Sequence, residues 1–349
     1  MRLAILYAMN TDELLEIMYF QKTRILLSAV ELGFFPLLSD LHSADEVAGA
    51  KNLDPRATER LLNALVAMDI LELTDGKYIT VPSLRKALDD GPESVIGSIM
   101  HRARLWVVWS SLSDVIRTGK THYELDEPDF DFRSHLPNFI RAMAVGGKRQ
   151  AEETVARLNL DGVGRVIDIG GGPGIYAAAF AKALPDAEVF VLDQPDVEAI
   201  ATEFIGDLIA TGRVKYISGD ALAIDDEKVF GRDGSGKYDI VFMSNLIHAF
   251  SPEQVKEVIA RSVRWCRPGG RFVCKDYFVD DTRTEPPRAA LFAINMLVGT
   301  PGGNAYSWTE MEEWLNLPRN SDGEAMVHNL EKMILSDGNT GMIVATIAG

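Results

Sequence analysis

The 349-residue chain predicts an α/β protein: an open, mostly parallel sheet closed by an antiparallel C-terminal hairpin, preceded by a mainly helical domain with a small winged helix. Three observations carry this. Arg165-Val-Ile-Asp-Ile169 runs into three consecutive glycines, Pro173 and Gly174, and then the helix-forming run Ile175–Leu184, which reads as strand, tight loop, helix. Apolar strand-like and helix-like segments alternate from residue 162 to the end. Over residues 43–90, two short helical patterns precede two alternating runs joined by Asp75-Gly76, the strongest short hairpin signal.

Taken in order, residues 10–38 read as one helix capped by Asn10 or Thr11, with Leu14, Leu15, Met18, Ile25, Leu26, Ala29 and Leu32 at helical spacing. Tyr19, Phe20 and Leu27 widen the apolar surface beyond one stripe, which predicts burial against a partner chain as well as the protein's own core. Ser43, with Glu46 three residues on, opens a helix through Ala50, and Asp54-Pro55 opens the next. Strands follow at 70–74 and 77–81. Helix, helix, hairpin is a winged helix, but residues 1–90 hold 9 Lys and Arg against 14 Asp and Glu. Phosphate backbones need clustered cations, so this charge argues against nucleic acid as a partner.

Residues 92–160 read as helices. Ile96, Ile99, Leu105, Trp106, Val108, Trp109, Leu112 and Val115 form one apolar helix, Asp126–Asp131 a loop, and Phe139 and Met143 share a helix face at i, i+4. Strands are then expected at 165–169, 188–192, 214–217, 238–243 and 271–276. Pro252 begins a helix that Arg267-Pro-Gly-Gly270 ends, and 325–330 with 342–346 form the closing hairpin. The domain boundaries implied are 1–95, 96–160 and 161–349. The net charge of −16 argues further against nucleic acid, no apolar run approaches the ~18 residues of a membrane span, and Leu3–Met9 is too short for a signal peptide. Cys266 and Cys274 read as buried thiols in a reducing compartment, so the expected location is cytoplasmic.

Ligands of such sheets bind beyond the carboxyl ends of the strands. There the chain places the glycine loop with Asp168, then Asp193-Gln194, Gly219-Asp220-Ala221, Ser244-Asn245 with His248, and Lys275-Asp276. Each acid could be a turn former or a solvated strand end; several beside a glycine loop point to a nucleotide-type site. A dinucleotide fingerprint needs G-x-G-x-x-G, and its sixth position is Ile175. Asp193 fits a ribose diol and Asp220 an adenine amino group. His248, in an otherwise apolar segment, is the candidate general base, with Asp276 placed to hold its tautomer. No metal-ligand spacing is present.

Asp168-Ile-Gly-Gly-Gly-Pro-Gly174 resembles motif I of the S-adenosylmethionine (SAM) dependent methyltransferases of Rossmann-like fold. With Ala29–Phe35, Arg60–Val66, Gly76–Thr80, Phe139-x-x-x-Met143, Asp193-Gln-Pro, Gly219-Asp-Ala, Ser244–His248, Lys275-Asp276, Met296 and Thr300-Pro-Gly-Gly303, nearly the whole chain resembles the O-methyltransferases of plant phenolics and of bacterial aromatic polyketides and phenazines. The resemblance implies a homodimer through the winged-helix domain and a role in secondary metabolism. It implies SAM bound by Asp168, Gly170, Gly172, Asp193, Gln194, Gly219, Asp220, Ala221, Ser244 and Asn245, with S-adenosylhomocysteine as product and no metal. It further implies a small hydroxylated aromatic lined by Trp106, Phe139, Met143, Asn295, Met296 and Thr300, with His248 and Asp276 catalytic. The family's His-Asp-Trp is here His248-Ala249-Phe250, its second acid is Ala305, and its lysine on the adenine side is Ser244. Two other functions fit the same residues: a SAM enzyme with decarboxylating, hydroxylating or rearranging chemistry, and a SAM-sensing winged-helix regulator.

Overall fold

The computed structural model describes residues 10–91, 93–125, 132–231 and 234–349. The chain divides into two compact units, with the boundary between Arg104 and Leu105.

In the first unit, Asn10 caps α1 (Thr11–Glu16) by accepting from the N–H groups of Asp12 and Glu13. The single helix expected over 10–38 is instead α1, α2 (Gln21–Glu31) and a 3₁₀ turn at Leu37–Ser39. Ile17, Met18, Tyr19 and Phe20 are 68, 65, 71 and 55% exposed, so little burial stabilises a helix through them. Gly33, at φ +67°, then stops α2, and Phe34 N–H returns to the Ala29 carbonyl. Helix α3 (Ala44–Lys51) carries the expected reciprocal Ser43–Glu46 cap, and α4 (Pro55–Ala67) is capped by Asp54. Strands β1 (Leu71–Thr74) and β2 (Lys77–Thr80) pair around Asp75 and Gly76, both at positive φ as a type I′ turn requires. Helices α5 (Arg85–Leu88) and α6 (Ile96–Ser110) follow.

The apolar helix expected over 96–115 breaks at Ser111. Its hydroxyl donates to the Val108 carbonyl (2.8 Å), and its own carbonyl accepts from Asp114, which starts a new turn. Next come α7 (Leu112–Thr118), α8 (His122–Leu125), α9 (Phe132–Lys148) and α10 (Ala151–Ala156). The loop expected at Asp126–Asp131 lies outside the described residues.

The rest of the second unit is the predicted sheet. Its elements are β3 (Arg165–Ile169), α11 (Ile175–Ala183), β4 (Glu188–Asp193), α12 (Val197–Ala210), β5 (Val214–Ser218), α13 (Asp226–Phe230), β6 (Tyr238–Ser244), α14 (Pro252–Trp265), β7 (Cys266–Asp276), α15 (Pro287–Gly299), α16 (Trp308–Leu315), β8 (Val327–Ile334) and β9 (Gly341–Ile347). Strand order is β5-β4-β3-β6-β7-β9-β8, parallel except for β9, which is antiparallel to both β7 and β8. The order reverses between β3 and β6, and that switch point is where a ligand crevice forms.

One sheet face carries Val166, Ile240, Phe242 and Val273 against Tyr176 and Phe180 of α11. The other carries Ile167, Met243, Phe272 and Cys274 against Val255, Ile259 and Trp265 of α14. Each such fully buried side chain contributes about 1.5–3 kcal/mol. Both cysteines are buried free thiols, as expected.

Two boundaries differ from expectation. Arg267–Gly270 does not separate α14 from the next strand: Cys266 already pairs with Tyr238, and the four residues loop out before Arg271 pairs with Ile240. The last hairpin's first strand is Val327–Ile334 rather than 325–330. Its charged residues Glu331 and Lys332 hide the strand pattern because β8 is an edge with one face in solvent.

Candidate active site

The loop after β3 turns back on itself because Gly170, Gly172 and Gly174 all take positive φ (+64°, +52°, +74°), conformations that L side chains resist. Two also lack room: a Cβ on Gly170 would lie 2.9 Å from Leu246, and one on Gly174 2.3 Å from Ile205. Above Gly172 the nearest atom is Ile140 Cδ1 of α9 at 3.8 Å, so the loop is open there beneath that helix. Backbone groups pin it. Gly172 N–H donates to Asp193 Oδ2 (2.7 Å), Gly170 N–H to the Leu192 carbonyl (2.7 Å), and Tyr216 hydroxyl to the Gly172 carbonyl (2.9 Å).

Asp193 thus holds the loop and, through Oδ1, the Gln194 N–H (2.7 Å), while each oxygen keeps a lone pair. Burial raises its carboxyl pKa, and these two N–H groups oppose the shift. Gly219 N–H donates to the Asp193 carbonyl, which brings the loop after β5 alongside. Asp220 is exposed and caps the turn that includes Ala221, its Oδ1 accepting from Leu222 N–H (2.9 Å) and leaving Oδ2 uncommitted.

Asp168, 1% exposed, faces inward from β3, and neither of its oxygens has a hydrogen-bond partner. Burial, then the charge of Asp193, pushes its carboxyl well above the usual range, with the nearby Ala177 N–H opposing the shift. Ser244 Oγ and the Tyr176 hydroxyl are also buried and make no hydrogen bond of normal geometry, and burial, opposed by the nearby Ser244 and Thr154 hydroxyls, lifts the phenol to about 12. Asn245, at φ +53°, donates its N–H to the Lys275 carbonyl (2.8 Å).

His248 lies on a 3₁₀ turn after β6. Its Nδ1 meets Asp276 Oδ1 at 2.7 Å, and the same oxygen accepts from Tyr277 N–H at 2.7 Å. Asp276 is 1% exposed at the end of β7. The shared oxygen can only accept, so Nδ1 must donate and Nε2 is the basic nitrogen. Nε2 has no partner among the described residues. Phe292 of α15 sets its edge against the imidazole (4.7 Å, 86°) and stacks on Tyr277 (4.3 Å). Asn304 N–H donates to the His248 carbonyl, and Gly303 packs so closely there that a Cβ would lie 2.3 Å from that carbonyl oxygen.

The expected acceptor residues are less uniform. Asn295 Oδ1 accepts from Trp109 Nε1 (2.9 Å), which ties α15 to the end of α6. Met296 is buried and Trp106 half-buried. The Thr300 hydroxyl donates to the Met296 carbonyl and accepts from Gly303 N–H, which caps the helix end. Phe139 packs on Leu136, Ile140 and Val197, while Met143 is 36% exposed. Sequence reading assigned no role to Tyr176, Tyr216, Lys275 or Phe292. The tyrosines and Phe292 sit in apolar runs that read as core, and only the fold turns them to the strand ends.

A surface recess of about 530 Å³ lined by Asp226, Phe230, Lys237 and Arg264 involves none of these groups. Among the described residues there is no cluster of metal-ligating side chains and no helix long and apolar enough to cross a membrane.

Residues 109–317 match the O-methyltransferase domain family, and residues 15–81 match the O-methyltransferase dimerisation domain. The chain is 29% identical over 300 residues to the 3-hydroxy-5-methyl-1-naphthoate 3-O-methyltransferase of Streptomyces sahachiroi, covering 84% of each chain. It is 27% identical over 306 residues to the tetracenomycin polyketide synthesis 8-O-methyl transferase TcmO of Streptomyces glaucescens, covering 86% of this chain and 88% of that one. In fold it is similar to human N-acetylserotonin methyltransferase, solved in complex with SAM: TM-score 0.79, 20% identity, 98% of this chain and 99% of that one.

Proposed function

This chain belongs to the O-methyltransferase family, and we propose that it transfers a methyl group from SAM to the hydroxyl of a small aromatic acceptor, with His248 as general base. The observation that carries the reading is the His248–Asp276 pair, which fixes Nδ1 and leaves Nε2 as a basic nitrogen at the strand ends near the glycine loop.

The residues fit the cofactor. Two buried Asp168 oxygens without partners suit an ammonium group. The spare lone pairs of Asp193 suit a ribose diol, and Asp220 Oδ2 an adenine amino group. Gly170 and Gly172 let a ligand reach the backbone, and Gln194, Gly219, Ala221, Ser244 and Asn245 surround that space. When bound, SAM supplies an electrophilic methyl on a sulfonium. The chain supplies alignment and a proton acceptor.

A phenol, with a pKa of about 10, is a poor nucleophile while protonated. Nε2 takes its proton as the oxygen attacks, and the buried Asp276 carboxylate stabilises the imidazolium formed. Tyr277 and Phe292 brace the imidazole and offer an aromatic wall. Trp106, Phe139, Met143, Asn295, Met296 and Thr300 are proposed to shape the rest of the acceptor pocket, with the helices over 96–160 as its roof. The N-terminal unit serves as a homodimer contact, a role supported by the dimerisation-domain match and the exposed Ile17–Phe20.

The test is incubation with methyl-labelled SAM and a panel of phenols and hydroxylated polycyclic aromatics. Label on an acceptor oxygen with equimolar S-adenosylhomocysteine is expected. Turnover without S-adenosylhomocysteine would instead indicate a non-methylating SAM chemistry, and no label across the panel would overturn the proposal.

A further inference from the structure

The mechanism leaves one buried charge unused. Lys275, next to the catalytic Asp276, is completely buried, with its side chain on the opposite sheet face. Among the described residues, its ammonium has one hydrogen bond, to Asn245 Oδ1 at a long 3.4 Å, and lies 5.9 Å from the Tyr176 ring centroid. Among the described residues no carboxylate oxygen is within ion-pair distance. The nearest charges are Asp276, turned away toward His248, and Asp337. Asp337 is already held by Gln150 Nε2 (2.5 Å), the N–H groups of Asn339 and Thr340 (2.9 Å each) and the Thr340 hydroxyl. Burial lowers the Lys275 pKa. A buried ammonium with no carboxylate in direct contact is unfavourable, so an anion that reaches it would be bound firmly.

The same face presents the matching deficiency. Lys275 is in direct register with Ser244, and Asp168 lies in register with Phe242, two residues before Ser244, so Asp168, Ser244 and Lys275 project from one side of three adjacent strands. Tyr176 covers them from α11, close to Ser244 and to the charge of Asp168. Asp168, Ser244 and Tyr176 all carry buried polar atoms without partners. A carboxylate and an ammonium, neither in a direct ion pair, therefore lie on either side of Ser244, with the Ser244 and Tyr176 hydroxyls between and above them, at the strand ends beside the glycine loop. This arrangement is complementary to a zwitterion.

We propose that Lys275 binds the carboxylate of the amino-acid end of SAM while Asp168 binds its ammonium, so that the pair selects a zwitterionic head group. This rests on the SAM reading above. A charge-assisted hydrogen bond of this kind changes affinity by about ten- to hundredfold.

The test is calorimetric binding of SAM and of decarboxylated SAM, which keeps the ammonium and lacks the carboxylate, to the wild-type protein and to Lys275→Met. Wild type is expected to bind decarboxylated SAM about ten- to hundredfold more weakly than SAM. Lys275→Met is expected to lose a similar factor for SAM and to bind the two ligands within about twofold. Equal affinity of the wild type for the two ligands overturns the assignment without reference to any variant's folding. So does a wild-type preference that persists in Lys275→Met, which would place the carboxylate elsewhere. Failure of the wild type to bind either ligand would overturn the SAM reading itself.

Discussion

Asp276→Asn should leave the His248 tautomer intact and slow methyl transfer only modestly. Asp276 Oδ1 accepts from both His248 Nδ1 and Tyr277 N–H, at 2.7 Å each, and Oδ2 is buried without a partner. An asparagine must turn its carbonyl oxygen to the Tyr277 N–H, and that oxygen still accepts from Nδ1. Its amide nitrogen takes the place of an oxygen that had no partner. Only the negative charge is lost, so the bond changes from charge-assisted to neutral, a difference of about 1–1.5 kcal/mol, or roughly 5- to 15-fold in kcat. Asp276→Ala removes the acceptor and loses the whole bond, about 1.5–3 kcal/mol or roughly 10- to 150-fold, and frees the ring to turn. The assay is single-turnover methyl transfer from labelled SAM at saturating acceptor, with SAM affinity measured in parallel and expected to stay unchanged in both variants. Asparagine as damaging as alanine would refute the shared-oxygen argument, and wild-type rates in Asp276→Ala would remove the pair from the mechanism.

Three further outcomes follow from the same structure. Asp168 has its pKa raised chiefly by burial, so the folded state holds its proton more tightly than the unfolded chain. Its contribution to stability is therefore full below the ordinary carboxyl pKa and falls as pH rises toward the raised value. Asp168→Asn should gain melting temperature relative to wild type as pH rises above the ordinary carboxyl range while weakening SAM binding, and a gain in the opposite pH direction would contradict this. Gly172→Ala meets strain without a clash, about 1–2 kcal/mol, and should lower Tm by roughly 2–8 °C. Gly174→Ala also meets Ile205 and should lower it further, so equal effects would be inconsistent with the loop geometry. Met18→Asp with Tyr19→Asp places charges on the exposed segment and should reduce the mass in light scattering to the 38.4 kDa of one chain, whereas a persistent dimer would locate the contact elsewhere.

What could be read from the sequence depended on how local its cause was. The seven-stranded sheet was legible because β3, β4, β6 and β9 are buried on both faces and read as apolar runs, and because the Ser43 and Ser251 capping boxes and the Asp75-Gly76 turn act within a few residues. His248 and Asp276 were legible as residues at strand ends, although 28 positions apart, because the switch-point rule depends on strand ends alone. The break at Ile17–Phe20 was not, since apolar spacing continues through it although these side chains stay exposed and add little burial to a helix. Nor were the roles of Tyr216, which ties down the Gly172 carbonyl from β5, and Thr300, whose hydroxyl closes a helix end. Each depends on a contact that spacing does not encode. Lys275 is the sharpest case: a lysine at a strand end reads as solvated, and only the register with Ser244 and the cover of Tyr176 bury it.

In the proposed mechanism His248 takes the acceptor's proton and does not hold the cofactor. The most direct test is His248→Ala, with the methyl-transfer rate and SAM affinity measured on the same folded preparation. The expected result is a rate lower by about 10²–10⁴-fold, the range of general-base catalysis, with SAM affinity within about twofold of wild type. An undiminished rate, or a loss of activity that follows a matching loss of SAM affinity, would contradict it.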